Sequence, residues 1–410
     1  MRRTSYPIAV ALALALVVVL APRPARAASA WVAANGLIAF RSDRDGDPEV
    51  FTMDATGGGQ TNLSDNATIG DTTPAWSPEG TRLAYVRKAR ETGRPDLFVM
   101  DSKGRGRTRL TSTPVAERDP AWSPDGTRIA YSARTSPTGP FRIFVMNADG
   151  TGSVQLTSQG FGSADRSPAW SPDGTKIAYV SDRDGGFPEI YIMDADGSGQ
   201  TRLTNNVFVD GNPSWSPDGT KLAVERCCGD GSSEIYSIDV ATEVETDLTM
   251  SSSQDFDPSW SPDGTALAYA SVPAGGGNID IWSMGADGSS QVQLTTDPAD
   301  DLSPDWQPVP ACTITGTPGV DALQGTVAND VICGQGGADT INGSDGNDLV
   351  FGGAGNDVIA GELGSDLLFG EGGSDAMDGG PGYDGMIGGP GTDSCLPGPD
   401  GAFTKQCESE

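Results

Sequence analysis

The sequence predicts an all-β chain, a six-bladed β-propeller followed by a second, glycine-rich repeat domain. Two periodicities carry that reading. A tryptophan block recurs as PAWSPEGTRLAY, PAWSPDGTRIAY, PAWSPDGTKIAY, PSWSPDGTKLAV, PSWSPDGTALAY and PDWQP, with Trp76, Trp122, Trp170, Trp215, Trp260 and Trp306 at 45–48-residue intervals. From Gly316 to Leu396 the chain then repeats every nine residues without a slip. Neither region has helical apolar spacing, and internal periods of this kind define repeat architectures.

The chain opens on a segment outside the fold. Arg2 and Arg3 precede an apolar run from Ile8 to Ala21, and small residues follow to Ala27 or Ala30. This is the layout of a secretory signal peptide, and the run is shorter than the roughly 20 residues of a membrane span. Residues 1–30 are therefore expected to be removed on export. No other stretch is apolar enough to span a bilayer, so the protein is expected to be secreted or held at the cell surface.

Residues 31–309 form the expected propeller. In each unit Pro-x-Trp is a first strand, and Ser-Pro-Asp-Gly turns the chain, with proline presetting φ and glycine taking the positive φ behind it. The alternating TRIAY run is the second strand, a segment such as EIYIMD the third, and TRLT the fourth. Four short strands per unit is the arithmetic of a propeller blade. Before Trp76 stand GLIAF, EVFTMD and TNLS, three strands with no first one, while Trp306 supplies a first strand with nothing after it. Together they are expected to close the ring as a sixth blade and so hide its edges. The short segment Gln307–Ala311, with prolines at 308 and 310, is expected to be a stiff linker.

These blocks resemble the TolB-type propeller repeat over roughly residues 35–308. TolB proteins carry a separate N-terminal α/β domain before the propeller, whereas here the propeller starts a few residues after the apolar segment. That departure tells against a Tol–Pal envelope role.

Residues 310–410 are the second domain. Its nine units run GTPGVDALQ, GTVANDVIC, GQGGADTIN, GSDGNDLVF, GGAGNDVIA, GELGSDLLF, GEGGSDAMD, GGPGYDGMI and GGPGTDSCL. Glycine opens each unit, the eighth place is apolar or cysteine, and the sixth is always aspartate: Asp321, Asp330, Asp339, Asp348, Asp357, Asp366, Asp375, Asp384 and Asp393. This pattern resembles the RTX, or haemolysin-type, calcium-binding nonapeptide. The resemblance implies a parallel β-roll, two units per coil, with several Ca2+ ions held between coils by backbone carbonyls and by aspartates eighteen residues apart. Terminal units lack a neighbour, so Asp330 to Asp384 are the best-placed ligands. Each unit buries one main aliphatic side chain, worth about 1.5–3 kcal/mol, against an ordering cost of about 9–18 kcal/mol for nine residues. Calcium binding and folding are therefore expected to be one event.

Charge and residue usage narrow the function. The chain holds 56 acidic against 26 basic residues, a net charge of −30, and no histidine. The charge argues against nucleic acid and anionic membranes and favours cations or basic partners. Absence of histidine removes Ser-His-Asp and Cys-His chemistry and every His-ligated metal site. Six cysteines in an exported chain suggest disulfides with fifteen pairings open. The positions of Cys312 and Cys333 at the start of the second domain, and of Cys395 and Cys407 at its end, favour two clasps there. Cys227 and Cys228 are adjacent and form a strained ring, stay reduced, or pair elsewhere.

Three residues before each blade proline stands an acid: Asp71, Glu117, Asp165, Asp210, Asp255 and Asp301. With Pro-x-Trp innermost, these six would ring one mouth of the central channel and take a cation or a protein or carbohydrate partner. The competing reading is that each caps its own loop through nearby backbone N–H groups. The leading functional expectation is a secreted calcium-binding protein whose propeller is a binding scaffold. The alternatives are a propeller enzyme of the glycoside hydrolase, lyase or lactonase class using channel carboxylates, and a TolB-like envelope scaffold.

Overall fold

The computed structural model describes residues 33–407, except 66–68, 89–93, 159–162, 228–231, 383, 399–401 and 406. The apolar segment 1–30 and Cys228 lie outside the described residues. Among those described, every regular element is a strand, so no helix is long and apolar enough to cross a membrane.

Each tryptophan unit folds as read. In the second, Glu117–Trp122, Arg128–Arg134, Phe141–Asn147 and Val154–Gln155 form one antiparallel ladder. The Ser-Pro-Asp-Gly turn closes by a Gly126 N–H bond to the Ser123 carbonyl (2.9 Å), with Gly126 at φ +69°. Asp125 Oδ1 fixes that turn by accepting from Ser123 Oγ (2.5 Å) and the Thr127 N–H (3.0 Å). Alternation in the second strand puts Ile129 and Tyr131 inside. The tryptophans are mortar between units: Trp170 packs with Ala130, Ile143 and Val145 of the preceding repeat. Trp122 and Trp215 donate their indole N–H to the carbonyls of Ala75 and Ala169 one repeat earlier, both at 3.1 Å.

The sheets correct the expectation of six separate blades. Four four-stranded sheets stand alone, and the fourth and fifth tryptophan units share one eight-stranded sheet. A parallel bridge between Ser233 and Gln254 joins them, where the third strand of one unit reaches the first strand of the next. The closing sheet joins the two ends of the propeller: Asp301–Pro310 pairs with Ala33–Ser42, followed by Glu49–Met53 and Thr61–Asn62. The expected linker is thus largely strand, with Pro308 opposite Asn35 and Pro310 opposite Ala33. The strand is the terminal one of its sheet, and prolines without N–H groups are tolerated on such an edge.

The second domain is a parallel solenoid of two sheets, in register at eighteen residues: Ile332 faces Val350, Val350 faces Leu368, and Ile341 faces Ile359. Eighth-place side chains form its core, with Ile332, Ile341, Val350, Ile359, Leu368, Met377 and Met386 all buried. Disulfides Cys312–Cys333 and Cys395–Cys407 clasp its two ends.

Candidate functional site

The solenoid aspartates form two ladders. The N–H of Asp330 donates to Asp348 Oδ1, and that of Asp348 to Asp366 Oδ1, both at 2.8 Å. On the other side Asp339 donates to Asp357 and Asp357 to Asp375, also at 2.8 Å. Each carboxylate thus fastens one coil to the next through Oδ1. The other oxygen is orphaned: Oδ2 of Asp339, Asp348, Asp357, Asp366 and Asp375 is buried without a hydrogen-bond partner. Asp321 and Asp330 differ, since their Oδ2 atoms accept from the N–H groups of Thr317 (2.6 Å) and Thr326 (2.7 Å).

Burial is the first cause of raised pKa values along the ladders, with repulsion from carboxylates on neighbouring coils adding to it. Asp348 is pushed up to about 7, Asp366 to about 8 and Asp375 to about 6, while Asp357 is also raised. Glycine makes room for these oxygens. A Cβ on Gly361 would lie 2.4 Å from Asp366 Oδ2, and one on Gly364 only 1.5 Å from the carbonyl oxygen of Gly346 one coil earlier. Gly364 also holds φ +148°, which L side chains rarely adopt.

This donor set fits calcium. Unsatisfied buried carboxylate oxygens call for a cation or a proton, and carboxylates with turn carbonyls are the hard oxygen ligands calcium takes. Among the described residues no three acidic or cysteine side chains gather to hold an ion by themselves. Any ion held by the ladders would need backbone carbonyls or water to complete its shell.

The propeller encloses an axial cavity of about 360 Å3. The six acids expected around one mouth of the channel lie apart from it. None of Asp71, Glu117, Asp165, Asp210, Asp255 and Asp301 lines the cavity, and all six are buried. Their partners are chiefly side chains of neighbouring strands and loops, not loop N–H groups. Asp71 takes Arg87 Nε (2.7 Å) and Asp210 takes Arg226 Nε (2.6 Å). Asp165 and Asp255 take the hydroxyls of Ser181 (2.6 Å) and Ser271 (2.5 Å). Asp301 takes Arg44 (3.0 Å), and Glu117 takes Thr111 and Thr113.

The cavity is lined instead by the residue directly before each blade proline: Thr73, Asp119, Ser167, Asn212, Asp257 and Ser303. All six hold positive φ, between +44° and +53°. Each innermost strand has a register shift at this point, and a proline in a bulge costs no ladder bond. Five of the six form a chain around the axis. The Ser167 N–H lies 3.4 Å from Asp119 Oδ2, Ser167 Oγ donates to Asn212 Oδ1 (3.0 Å), Asn212 Nδ2 to Asp257 Oδ1 (2.7 Å), and Ser303 Oγ to Asp257 Oδ2 (3.0 Å). Burial raises Asp119 and Asp257, and pushes Glu225 and Asp305 up to about 7. A polar residue ahead of each proline was the signal in the sequence; the bulge that aims it inward was not.

Fold and site together define a β-propeller with a polar axial cavity joined to an aspartate-laddered β-solenoid. Residues 68–209 and 203–315 match the TolB beta propeller domain, and residues 315–350 and 351–386 match the RTX calcium-binding nonapeptide repeat (4 copies). The chain belongs to the TolB beta propeller domain family and carries RTX calcium-binding repeats behind that domain. No curated protein matches it.

Among solved structures, TolB from Acinetobacter baumannii is similar at 25% identity and a TM-score of 0.57, with 66% of each chain covered. The chain thus spans just under two thirds of that protein. A protein described as TolB from Agrobacterium tumefaciens is 21% identical with a TM-score of 0.53, covering 68% of this chain and 99% of the other. Hydrazine synthase of Kuenenia stuttgartiensis, at 14% identity, a TM-score of 0.56 and coverage of 68% and 47%, shares the fold alone.

Proposed function

We propose that the protein is exported and binds several calcium ions along its two aspartate ladders, and that the propeller is a non-enzymatic binding scaffold. The observation that carries this reading is the row of buried, unpartnered Oδ2 atoms from Asp339 to Asp375. Asp330 and Asp384 extend the ladders by one coil, while Asp321 and Asp393 sit at the ends and would hold weaker sites. Calcium joins facing coils and removes their repulsion, so the roll folds as it loads. Export matches the RTX repeats and the disulfide clasps, which persist in oxidising compartments. The propeller's ligand surface is the polar ring around Asn212, and its partner would be a protein.

Metal analysis and far-UV circular dichroism of the full chain test this, with and without chelator. Several ions per chain and a gain of β signal on calcium addition are expected. A chain that holds no calcium at about 10 mM, well above the weak extracellular class, would refute it.

One observation favours the enzyme alternative. Asp119 and Asp257 face one cavity with raised pKa values, as acid–base pairs do. Turnover on a glycan or lactone panel, lost in Asp119→Asn, would establish that reading, and an inactive wild type would remove it.

A further inference from the structure

The nine-residue period of the roll hides one of eighteen. Alternate units close on Val-Ile-Cys (331–333), Leu-Val-Phe (349–351), Leu-Leu-Phe (367–369) and Gly-Met-Ile (385–387). The others close on Ala-Leu-Gln, Thr-Ile-Asn, Val-Ile-Ala, Ala-Met-Asp and Ser-Cys-Leu. The middle residue of each triplet enters the solenoid core, so its two neighbours face outward. One sheet therefore has an apolar outer face and the other a mostly small or polar one.

Outward-facing apolar side chains should be wet, and on the second sheet they are: Val358 is 53% and Leu396 57% exposed. On the first sheet Val331, Leu349 and Leu367 are at most 1% exposed and Phe369 is 5%. Their cover is the propeller. These four side chains belong to one buried cluster with Val86, Leu97, Trp122, Ile129 and Tyr131 of the first two tryptophan units. Leu367 sits on the second unit's Ser-Pro-Asp-Gly turn, so tightly that a Cβ on Gly126 would lie 2.9 Å from its Cδ2. Beside it, Arg82 lies 4.5 Å over the Trp122 ring and is held by Glu79 (2.7 Å).

We propose that this sheet is an interaction surface whose partner is the chain's own propeller, and that calcium governs the contact. The inference rests on the calcium reading above. A sheet that orders only when loaded can dock only when loaded, so calcium bound in the roll stabilises the propeller. Linkage is reciprocal: the docked propeller tightens calcium binding. Removing calcium uncovers the apolar ground around Trp122 on the first two units.

The eight tryptophans all precede residue 307, so tryptophan fluorescence reports on the propeller, while calcium-induced far-UV dichroism follows the roll. The test uses the full chain and the double variant Leu349→Thr/Leu367→Thr. Threonine already occupies the matching outward position at Thr340, so the variant roll remains able to fold. In the wild type, saturating calcium should raise the tryptophan melting temperature by at least about 5 °C. In the variant that shift should vanish while the dichroism gain persists at a calcium midpoint about five-fold higher.

Two results overturn the proposal and leave calcium binding standing: a wild-type tryptophan melt indifferent to calcium although the roll folds, or a variant that keeps the full shift. Absence of any dichroism gain in the wild type would instead sink the calcium reading and this inference together.

Discussion

Replacing Asp366 by asparagine separates the charge of a ladder from its hydrogen bonds. Asp366 lies between Asp348 and Asp384: its Oδ1 accepts the Asp348 N–H at 2.8 Å, and its own N–H donates to Asp384 Oδ1 at 3.0 Å. Asparagine keeps an acceptor at Oδ1 but loses the charge and exchanges the Oδ2 acceptor for an amide Nδ2 donor. Parallel strands lie about 4.8 Å apart, so facing carboxylates on successive coils repel by about 3 kcal/mol at an effective dielectric near 20. With a neighbour on either side, the charged form costs about 6 kcal/mol before burial is counted.

A cheaper escape exists. Holding a proton at pH 7 costs a carboxyl of pKa 3.8 about 4 kcal/mol, and burial with repulsion from Asp348 and Asp384 pushes Asp366 up to about 8, so any coil that forms without calcium would take this route. Asp366→Asn should therefore stabilise the calcium-free roll by up to about 4 kcal/mol. It should also cost the protein the one or two ions that Asp366 touches. The assay is calcium counting by equilibrium dialysis, paired with far-UV dichroism in chelator at pH 7. Unchanged stoichiometry together with no added β signal in chelator would show that the ladder carboxylates neither repel nor bind as argued.

Two further outcomes follow from the geometry. Gly364→Ala places a Cβ 1.5 Å from the Gly346 carbonyl at φ +148°, so calcium should fold that roll only at a raised midpoint or not at all; dichroism titration checks it. Asp305, pushed up to about 7 by burial, binds a proton more tightly in the folded state than in the unfolded chain. Its contribution to stability is full below the unfolded pKa near 4 and is lost as pH rises through about 7, at up to about 1.4 kcal/mol per pH unit. Asp305→Asn should flatten that part of the melting-temperature profile between pH 4 and pH 8, and an unchanged difference from wild type across the window would refute it.

Strand order and ring closure were legible because each rests on local chemistry repeated many times. Ser-Pro-Asp-Gly specifies a turn wherever it occurs, and the missing first strand before Trp76 has one complement, at Trp306. The merger of two blades was not legible. It depends on the bridge from Ser233 to Gln254, which follows from how closely two units approach and not from either segment's residues. The strand through Pro308 was misread for a related reason. Proline disfavours a central strand, and only the ring's closure puts that segment on an edge.

The two sites differ in the same way. The solenoid aspartates could be placed from the nonapeptide resemblance, because the parallel coil it implies converts sequence period directly into spatial register. The channel residues could not. Counting back from the blade proline lands on one acid in every repeat, and that regularity is the mark of a structural role: each is buried at a strand end against arginine, serine or threonine side chains. Ligand recognition needs the repeats to differ, and they differ one residue before the proline, where Thr73, Asp119, Ser167, Asn212, Asp257 and Ser303 stand. The same logic exposes the docking face of the roll. Nine units share glycine and aspartate, the residues that build a coil; only alternate units share an apolar outer face, the property that one particular neighbour requires. In a chain made of repeats, what every copy keeps builds the scaffold, and where the copies part company the protein meets something else.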